Sequence, residues 1–246
     1  MTGHTQPGTF IGLPSAPGDD FDLAAGFLVG EGVISSADEI TAIRYCAGAT
    51  GDGRNTCNVL DVRLAGGTAP PLTSLERNFY TTASCGVCGK ASLDAVRTIA
   101  RWPVGDDPVR VAAETVAALP GRLRAAQRVF DRTGGLHAAG LFSPDGQPLC
   151  VREDVGRHDA VDKLVGWAVR DGRLPLTSSV LMVSGRASFE LVQKAVMAGI
   201  PMLAAVSAPS SPAVELAAET GLTLAGSVRD GSMNVYTGEE RIGPGP

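Results

Sequence analysis

The residues best suited to chemistry lie in Thr82-Ala83-Ser84-Cys85-Gly86-Val87-Cys88-Gly89-Lys90. Two of the five cysteines sit there, two residues apart and flanked by glycines. Cys-x-x-Cys serves as half of a zinc site, as a redox dithiol, or as a reactive thiol with a neighbour. Structural zinc takes four ligands, commonly from two such knuckles. Cys46, Cys57 and Cys150 form no second knuckle, and His4, His137 and His158 are scattered. The zinc nucleoside deaminases pair Pro-Cys-x-x-Cys with His-x-Glu; here Ser84 stands in place of the proline and there is no His-x-Glu. No ββα pattern surrounds the pair, which weakens the redox dithiol. A reactive thiol fits the surroundings better. An apolar, helix-compatible run follows (Ala91, Leu93, Val96, Ile99), and a helix N-terminus favours thiolate, as does the charge of Lys90. Two small buried residues in a tight turn remain the plain structural alternative.

Three further segments could serve such a thiol. Arg152-Glu153-Asp154-Val155-Gly156-Arg157-His158-Asp159-Ala160-Val161-Asp162-Lys163 is dense in ionisable groups. It falls where a strand gives way to a helix, the edge at which α/β sheets bind ligands. Arg152 and Arg157 suit phosphate or carboxylate, and His158 could relay a proton; a solvated charged loop is the alternative. Ser184-Gly185-Arg186-Ala187-Ser188 follows an apolar run and opens a helix, so its amides could form an anion nest; a simple helix cap at Ser184 is the alternative. Gly226-Ser227-Val228-Arg229-Asp230-Gly231-Ser232-Met233-Asn234 reads as a nucleotide contact or as an ordinary hairpin turn. Together these loops would frame a bulky anionic ligand with a mobile thiol beside it.

The chain has 246 residues, 44% hydrophobic and 19% charged, which is enough for a sizeable core. A net charge of −5 argues against a phosphate-tracking face for nucleic acid. No apolar run approaches the roughly 18 residues of a membrane span, and no secretory h-region is evident. An odd cysteine count in a chain of this size points to reduced thiols and a cytoplasmic protein.

Residues 1–18 read as a flexible lead-in, 19–80 as a small α+β unit, and 81–246 as an α/β domain carrying the Cys-x-x-Cys loop. Asp19-Asp20 can cap a helix bearing Phe21, Leu23, Ala24, Phe27 and Leu28. Strand-like patterns follow between Ile40 and Leu64. A helix from 112 is expected to break at Pro120-Gly121 and resume through Phe130. A hairpin spans 136–153. Helices at 158–170, 187–198 and 212–220 alternate with strands at 180–183, 202–206 and 222–224, which predicts βαβ crossovers and a parallel core. The expected fold is therefore an α/β sandwich with a mixed sheet.

These stretches resemble the FdhD family, sulfur carrier proteins required for formate dehydrogenase activity. The resemblance runs from Pro17-Gly18-Asp19-Asp20-Phe21 through Glu31-Gly32-Val33-Ile34, Ser84-Cys85-Gly86-Val87-Cys88-Gly89 and Thr133-Gly134-Gly135-Leu136-His137-Ala138-Ala139. It continues through Arg152 to Lys163, Ser184-Gly185-Arg186 and Met233-Asn234-Val235-Tyr236-Thr237. It implies a cytidine deaminase-like fold without zinc catalysis and without a permanently bound metal. It implies a homodimer that receives sulfur from a cysteine desulfurase. The sulfur passes to Mo-bis(molybdopterin guanine dinucleotide), the client cofactor, before its insertion into formate dehydrogenase. By the family pattern Cys85 carries the persulfide and Cys88 assists. Ser227, Val228, Arg229, Asp230, Gly231 and Ser232 match the cofactor-binding segment, and Ser184, Gly185 and Arg186 line the same pocket. The chain departs from the pattern at Ser227, where an aromatic is usual, and at Asp159, where Asn is usual. The family's N-terminal strand is expected to be missing or replaced by residues 1–16. A cofactor-holding chaperone without sulfur chemistry and a zinc protein using Cys85 and Cys88 are the competing functions.

Overall fold

A computed structural model describes residues 9–11, 18–45, 60–66, 96 and 100–243. The Cys-x-x-Cys stretch lies outside the described residues, as do Cys46, Cys57 and most of the helix expected after the stretch; Val96 of that helix is described, helical and buried. Pairing begins early in the chain. Strand β1 (Thr9–Ile11) runs antiparallel to β3 (Leu60–Leu64), which pairs on its other side with β2 (Ile40–Tyr45). The expected lead-in thus contains three residues of strand.

Between β1 and β2 lies helix α1 (Asp20–Gly30). Asp19 precedes it in the left-handed region (φ 58°), and its side chain makes no capping bond. The expected Asp19 cap is therefore not formed; its carboxylate lies 3.4 Å from Arg152 Nε instead. After the short β4 (Val111–Ala112), helix α2 (Ala113–Ala126) runs straight through Pro120-Gly121, where the sequence suggests a break. Val116, Leu119 and Leu123 are buried on both sides of the proline. Their packing outweighs the roughly 3 kcal/mol propensity penalty of a helical proline. A single turn, α3 (Phe130–Thr133), ends at Gly134 with φ 67°.

The remaining elements are β5 (His137–Phe142), β6 (Pro148–Asp154), α4 (Arg157–Arg170), β7 (Val180–Val183), α5 (Phe189–Met197), β8 (Met202–Ala205), α6 (Ser211–Thr220), β9 (Thr223–Arg229), β10 (Ser232–Thr237) and β11 (Ile242–Gly243). Six of these strands form a mixed sheet in the order β10-β9-β8-β7-β5-β6. Strands β7, β8 and β9 are parallel, and β5, β6 and β10 pair antiparallel. The mixed α/β architecture expected from the sequence is present. Every residue of β7 and β8 is buried, as continuous apolar strands covered on both faces must be.

Alternation along those strands divides the core. Leu181, Val183, Leu203 and Ala205 face α1, α4, α5 and α6. Val180, Met182, Met202 and Ala204 face α2 through Val116, Leu119 and Leu123. Leu60 and Val62 of β3 belong to the first cluster, so the small sheet shares a core with the large one. Far from any ligand edge, buried Arg241 donates to the carbonyls of Val104, Gly105, Asp107 and Gly221.

Helices α1 and α4 pack antiparallel with their backbones in contact. A Cβ on Gly26 would lie 1.8 Å from the Asp162 carbonyl oxygen, and one on Gly166 would lie 1.7 Å from that of Asp22. Neither backbone can yield cheaply. We expect Gly166→Ala to lower stability by about 3 kcal/mol, despite alanine's better helix propensity. Urea unfolding followed by circular dichroism checks this. A change below about 0.5 kcal/mol would mean that the crossing is not close.

Candidate functional site

Because β7, β8 and β9 are parallel and β5 runs against β7, one edge of the sheet gathers several segments. They are the start of β5 (His137), the β6–α4 junction, 184–188 after β7, 206–210 after β8, and the β9–β10 hairpin. This is the edge where α/β sheets bind ligands. Backbone bonds tie the segments together. The Ser207 amide donates to Gly185 O at 3.4 Å, and the Ser227 amide donates to Ser207 O at 3.2 Å. The two stretches expected to line one pocket are thus linked through Ser207. The sequence reading passed over this residue, although its place after a buried strand follows the same strand-end rule.

Ser184 closes the β5–β7 ladder. Its amide donates to Ala138 O at 3.0 Å, and its hydroxyl accepts from the Ala138 amide at 2.9 Å. It is a structural clamp rather than a helix cap. Gly185 is buried and Arg186 is exposed. A Cβ on Gly185 would lie 3.4 Å from His137 Nδ1 and 3.6 Å from Arg157 Cδ, so both side chains flank this backbone. Ser227 adopts φ 51°, a left-handed conformation unusual for a residue other than glycine. The Val228 side chain is only 1% exposed and belongs to the core beneath α2, so only its backbone borders the edge. Arg229 and Ser232 pair across the hairpin, with Asp230 and Gly231 (φ 74°) as its turn, and all four are exposed.

The charged β6–α4 segment divides by partner. Arg152 reaches Asp22 at 3.3 Å as well as Asp19, so it anchors α1 and is not available to a phosphate in this arrangement. Glu153 accepts from the amides of Val129 and Phe130 at 2.9 and 2.7 Å, holding α3. Asp154 accepts from the Gly156 amide at 3.0 Å and pairs with Lys163 at 2.6 Å, fixing where α4 begins. Asp162 pairs with Lys194 of α5 at 2.7 Å. Burial opposes the Lys194 ammonium, but the carboxylates of Asp162 and Glu31 outweigh it and raise its pKa. The Cys150 thiol, a described cysteine, is pushed up to about 11 by burial and is no nucleophile at neutral pH.

Arg157 and His158 open α4. The His158 Nε2 lies 3.0 Å from Ser188 Oγ and 3.8 Å from Glu190 Oε2. Burial, with Arg157 and Lys194 nearby, pushes its pKa down to about 4, so the ring is neutral at pH 7. Burial and Arg157 also lower His137. A proton relay through His158 would therefore have to start from the neutral imidazole.

Asp159 sits in the first turn of α4, with its carboxylate where a Gly156 Cβ would fall. Burial raises its pKa to about 6, with Asp154 and Asp162 adding repulsion. Because the folded pKa lies above the ordinary 3.8, the ionised form is the one the fold disfavours. Its cost is full above about pH 6 and vanishes toward pH 4. We expect Asp159→Asn to stabilise the protein by about 1 kcal/mol at pH 8, after allowing for solvent screening. Thermal melts across pH should show that gain disappearing near pH 4; a gain independent of pH would mean that Asp159 is not strained electrostatically.

Comparison with known proteins bears on this arrangement. Residues 7–243 match the FdhD/NarQ family. A sulfur carrier protein FdhD from Streptomyces avermitilis is 70% identical over 227 residues, covering 92% of this chain and 80% of the relative. Its counterpart from Mycolicibacterium paratuberculosis is 62% identical, covering 92% of this chain and 84% of the relative. A crystal structure from Desulfotalea psychrophila, described as a formate dehydrogenase accessory protein, superposes with a TM-score of 0.66 at 24% identity. That match covers 96% of this chain and 89% of the other, and it supports the fold. Among the described residues no helix is long and apolar enough to cross a membrane. The motifs spread along this sequence, the fold and these matches agree that the chain belongs to the FdhD/NarQ family.

Proposed function

We propose that this chain is a sulfur carrier serving formate dehydrogenase. It takes sulfur from a cysteine desulfurase and passes it to the bis(molybdopterin guanine dinucleotide) molybdenum cofactor. The observation that carries the reading is the high identity, over most of the chain, to proteins named as sulfur carriers. The structure supports it with an edge suited to an anionic ligand, where 184–188 and the β9–β10 hairpin are bonded through Ser207.

The sulfur step follows from thiol chemistry. The Cys85 thiolate attacks the outer sulfur of the desulfurase persulfide. A new S–S bond forms at Cys85, the old one breaks, and the desulfurase cysteine leaves as thiolate. No external oxidant or reductant is consumed. Cys88 is placed to assist by its spacing in sequence; both cysteines lie outside the described residues. The client cofactor is cargo, and its phosphates suit the 184–186 backbone and Arg186 and Arg229, the exposed guanidiniums of this edge. A homodimer belongs to the same proposal.

Persulfide mapping by mass spectrometry, after incubation with a cysteine desulfurase and cysteine, tests the reading. One added sulfur atom is expected on Cys85 of the parent chain and none in Cys85→Ala. Undiminished loading of the variant would overturn the assignment.

A further inference from the structure

We propose that a shoulder beside the candidate edge, built from Arg128, Val129, Arg132 and Val155, docks an acidic surface of the enzyme that takes over the cofactor. This rests on the preceding reading for the identity of that enzyme, a formate dehydrogenase lacking its cofactor. It adds where that enzyme is met and by what chemistry.

The turn that carries the shoulder is anchored on several sides. Glu153 of β6 accepts from the Val129 and Phe130 amides, and the Arg124 guanidinium lies 4.7 Å over the Phe130 ring. Asp131 pairs with Arg124 at 2.6 Å, and the Thr133 hydroxyl donates to Val129 O at 3.0 Å. The carboxylates nearest the turn, Asp131 and Glu153, are thus engaged. Arg122 is engaged too, donating to the carbonyls of Asp145 and Gly146. Arg128 and Arg132 differ from these. Both are exposed, and neither side chain has a partner among the described residues. Two exposed apolar side chains accompany them: Val129 is 44% exposed, and Val155, two residues beyond Glu153 in the chain, is 62% exposed.

Solvated arginines alone would need neither this anchoring nor two exposed valines beside them. A rigid frame lowers the ordering cost of association, and arginine is the cation enriched where proteins meet. With the neighbouring carboxylates occupied, the free guanidiniums set the sign of the partner: its facing surface is acidic. Such charges act mainly by steering encounter, as suits a partner that must bind and leave. The position of the shoulder selects the partner. Gly134 and Gly135 lead from α3 straight to His137 at the candidate edge, and Ala138 pairs with Glu153 across β5 and β6. The shoulder therefore borders the edge on the α2 side. An enzyme collecting a cofactor from that edge has to face it, which brings its surface over the shoulder. A sulfur donor has to reach Cys85 instead, and Val96, downstream of the thiol pair, packs in the opposite core cluster with α1 and α4. That favours the cofactor recipient as the occupant.

The test uses the full chain and the cofactor-free formate dehydrogenase of the same organism. Association and dissociation are followed by biolayer interferometry, at low and at high salt, for four proteins. These are the parent, Val155→Ser, and two double variants: Arg128→Glu with Arg132→Glu, and Arg128→Lys with Arg132→Lys. The double glutamate variant should bind about tenfold more weakly at low salt, chiefly through slower association, and the difference should shrink at high salt. The double lysine variant should keep most of the affinity, and Val155→Ser should lose about threefold at either salt concentration. Persulfide loading of Cys85 by the desulfurase should be unchanged in all four. Equal affinities of the parent and the double glutamate variant overturn the proposal, as does an absence of binding by the parent. Slower desulfurase loading with unchanged dehydrogenase binding gives the shoulder to the sulfur donor and overturns it too. So does a changed oligomeric state by sedimentation with dehydrogenase binding intact, which gives the shoulder to a second copy of the chain. If the double glutamate variant does not fold, Arg128→Gln with Arg132→Gln and the salt dependence of the parent decide. Cys85 loading is read separately, so loss of the carrier chemistry and loss of the docking surface are told apart.

Discussion

The close crossing of α1 and α4 is the constraint on which the rest of the structure depends. Gly26 and Gly166 let two helix backbones touch, so α4 cannot slide or rotate without a steric clash. The first turn of α4 carries Arg157, His158 and Asp159 to the candidate edge at the strand C-termini. Two buried ion pairs then lock the direction of that turn. Asp154–Lys163 ties it to the end of β6, and Asp162–Lys194 ties it to α5. Breaking a buried pair by removing one partner typically costs about 3–5 kcal/mol. These pairs therefore hold the edge in place.

The electrostatics of the edge follow from that rigidity. Carboxylates on the flanking elements are engaged by structural partners: Asp22 by Arg152 and Arg170, Asp154 by Lys163, Asp162 by Lys194. At the 185–188 backbone, what remains is dominated by donors and positive charge. A chain with net charge −5 can in this way carry a locally positive patch, because net charge describes the whole molecule and the local field is set by the few groups at short range.

Much of this was legible in the sequence. Unbroken apolar runs such as Val180-Leu181-Met182-Val183, bounded by glycine-punctuated helical patterns, announced a parallel core, and the strand-end rule located the candidate loops. What misled was local reasoning applied where packing decides. Pro120-Gly121 looked like a helix break, but Val116, Leu119 and Leu123 hold the helix across it. Val228 lay in a segment read as ligand-facing, yet β9 extends through it and turns its side chain into the core. Arg152 and Arg157 looked equivalent as phosphate binders, and only the approach of α1 takes one of them.

The sequence by itself determined the mixed α/β class, the order of elements and the thiol pair, because these follow from residue type, spacing and periodicity along the chain, while the resemblance of its motifs marked the family. Only the tertiary structure decided which charged groups are occupied, that Ser207 bridges the 184–188 segment and the end of β9, and that His137 and Arg157 meet over Gly185. Those contacts join residues far apart in the chain, and their energies come from burial and short-range geometry. A linear pattern holds neither.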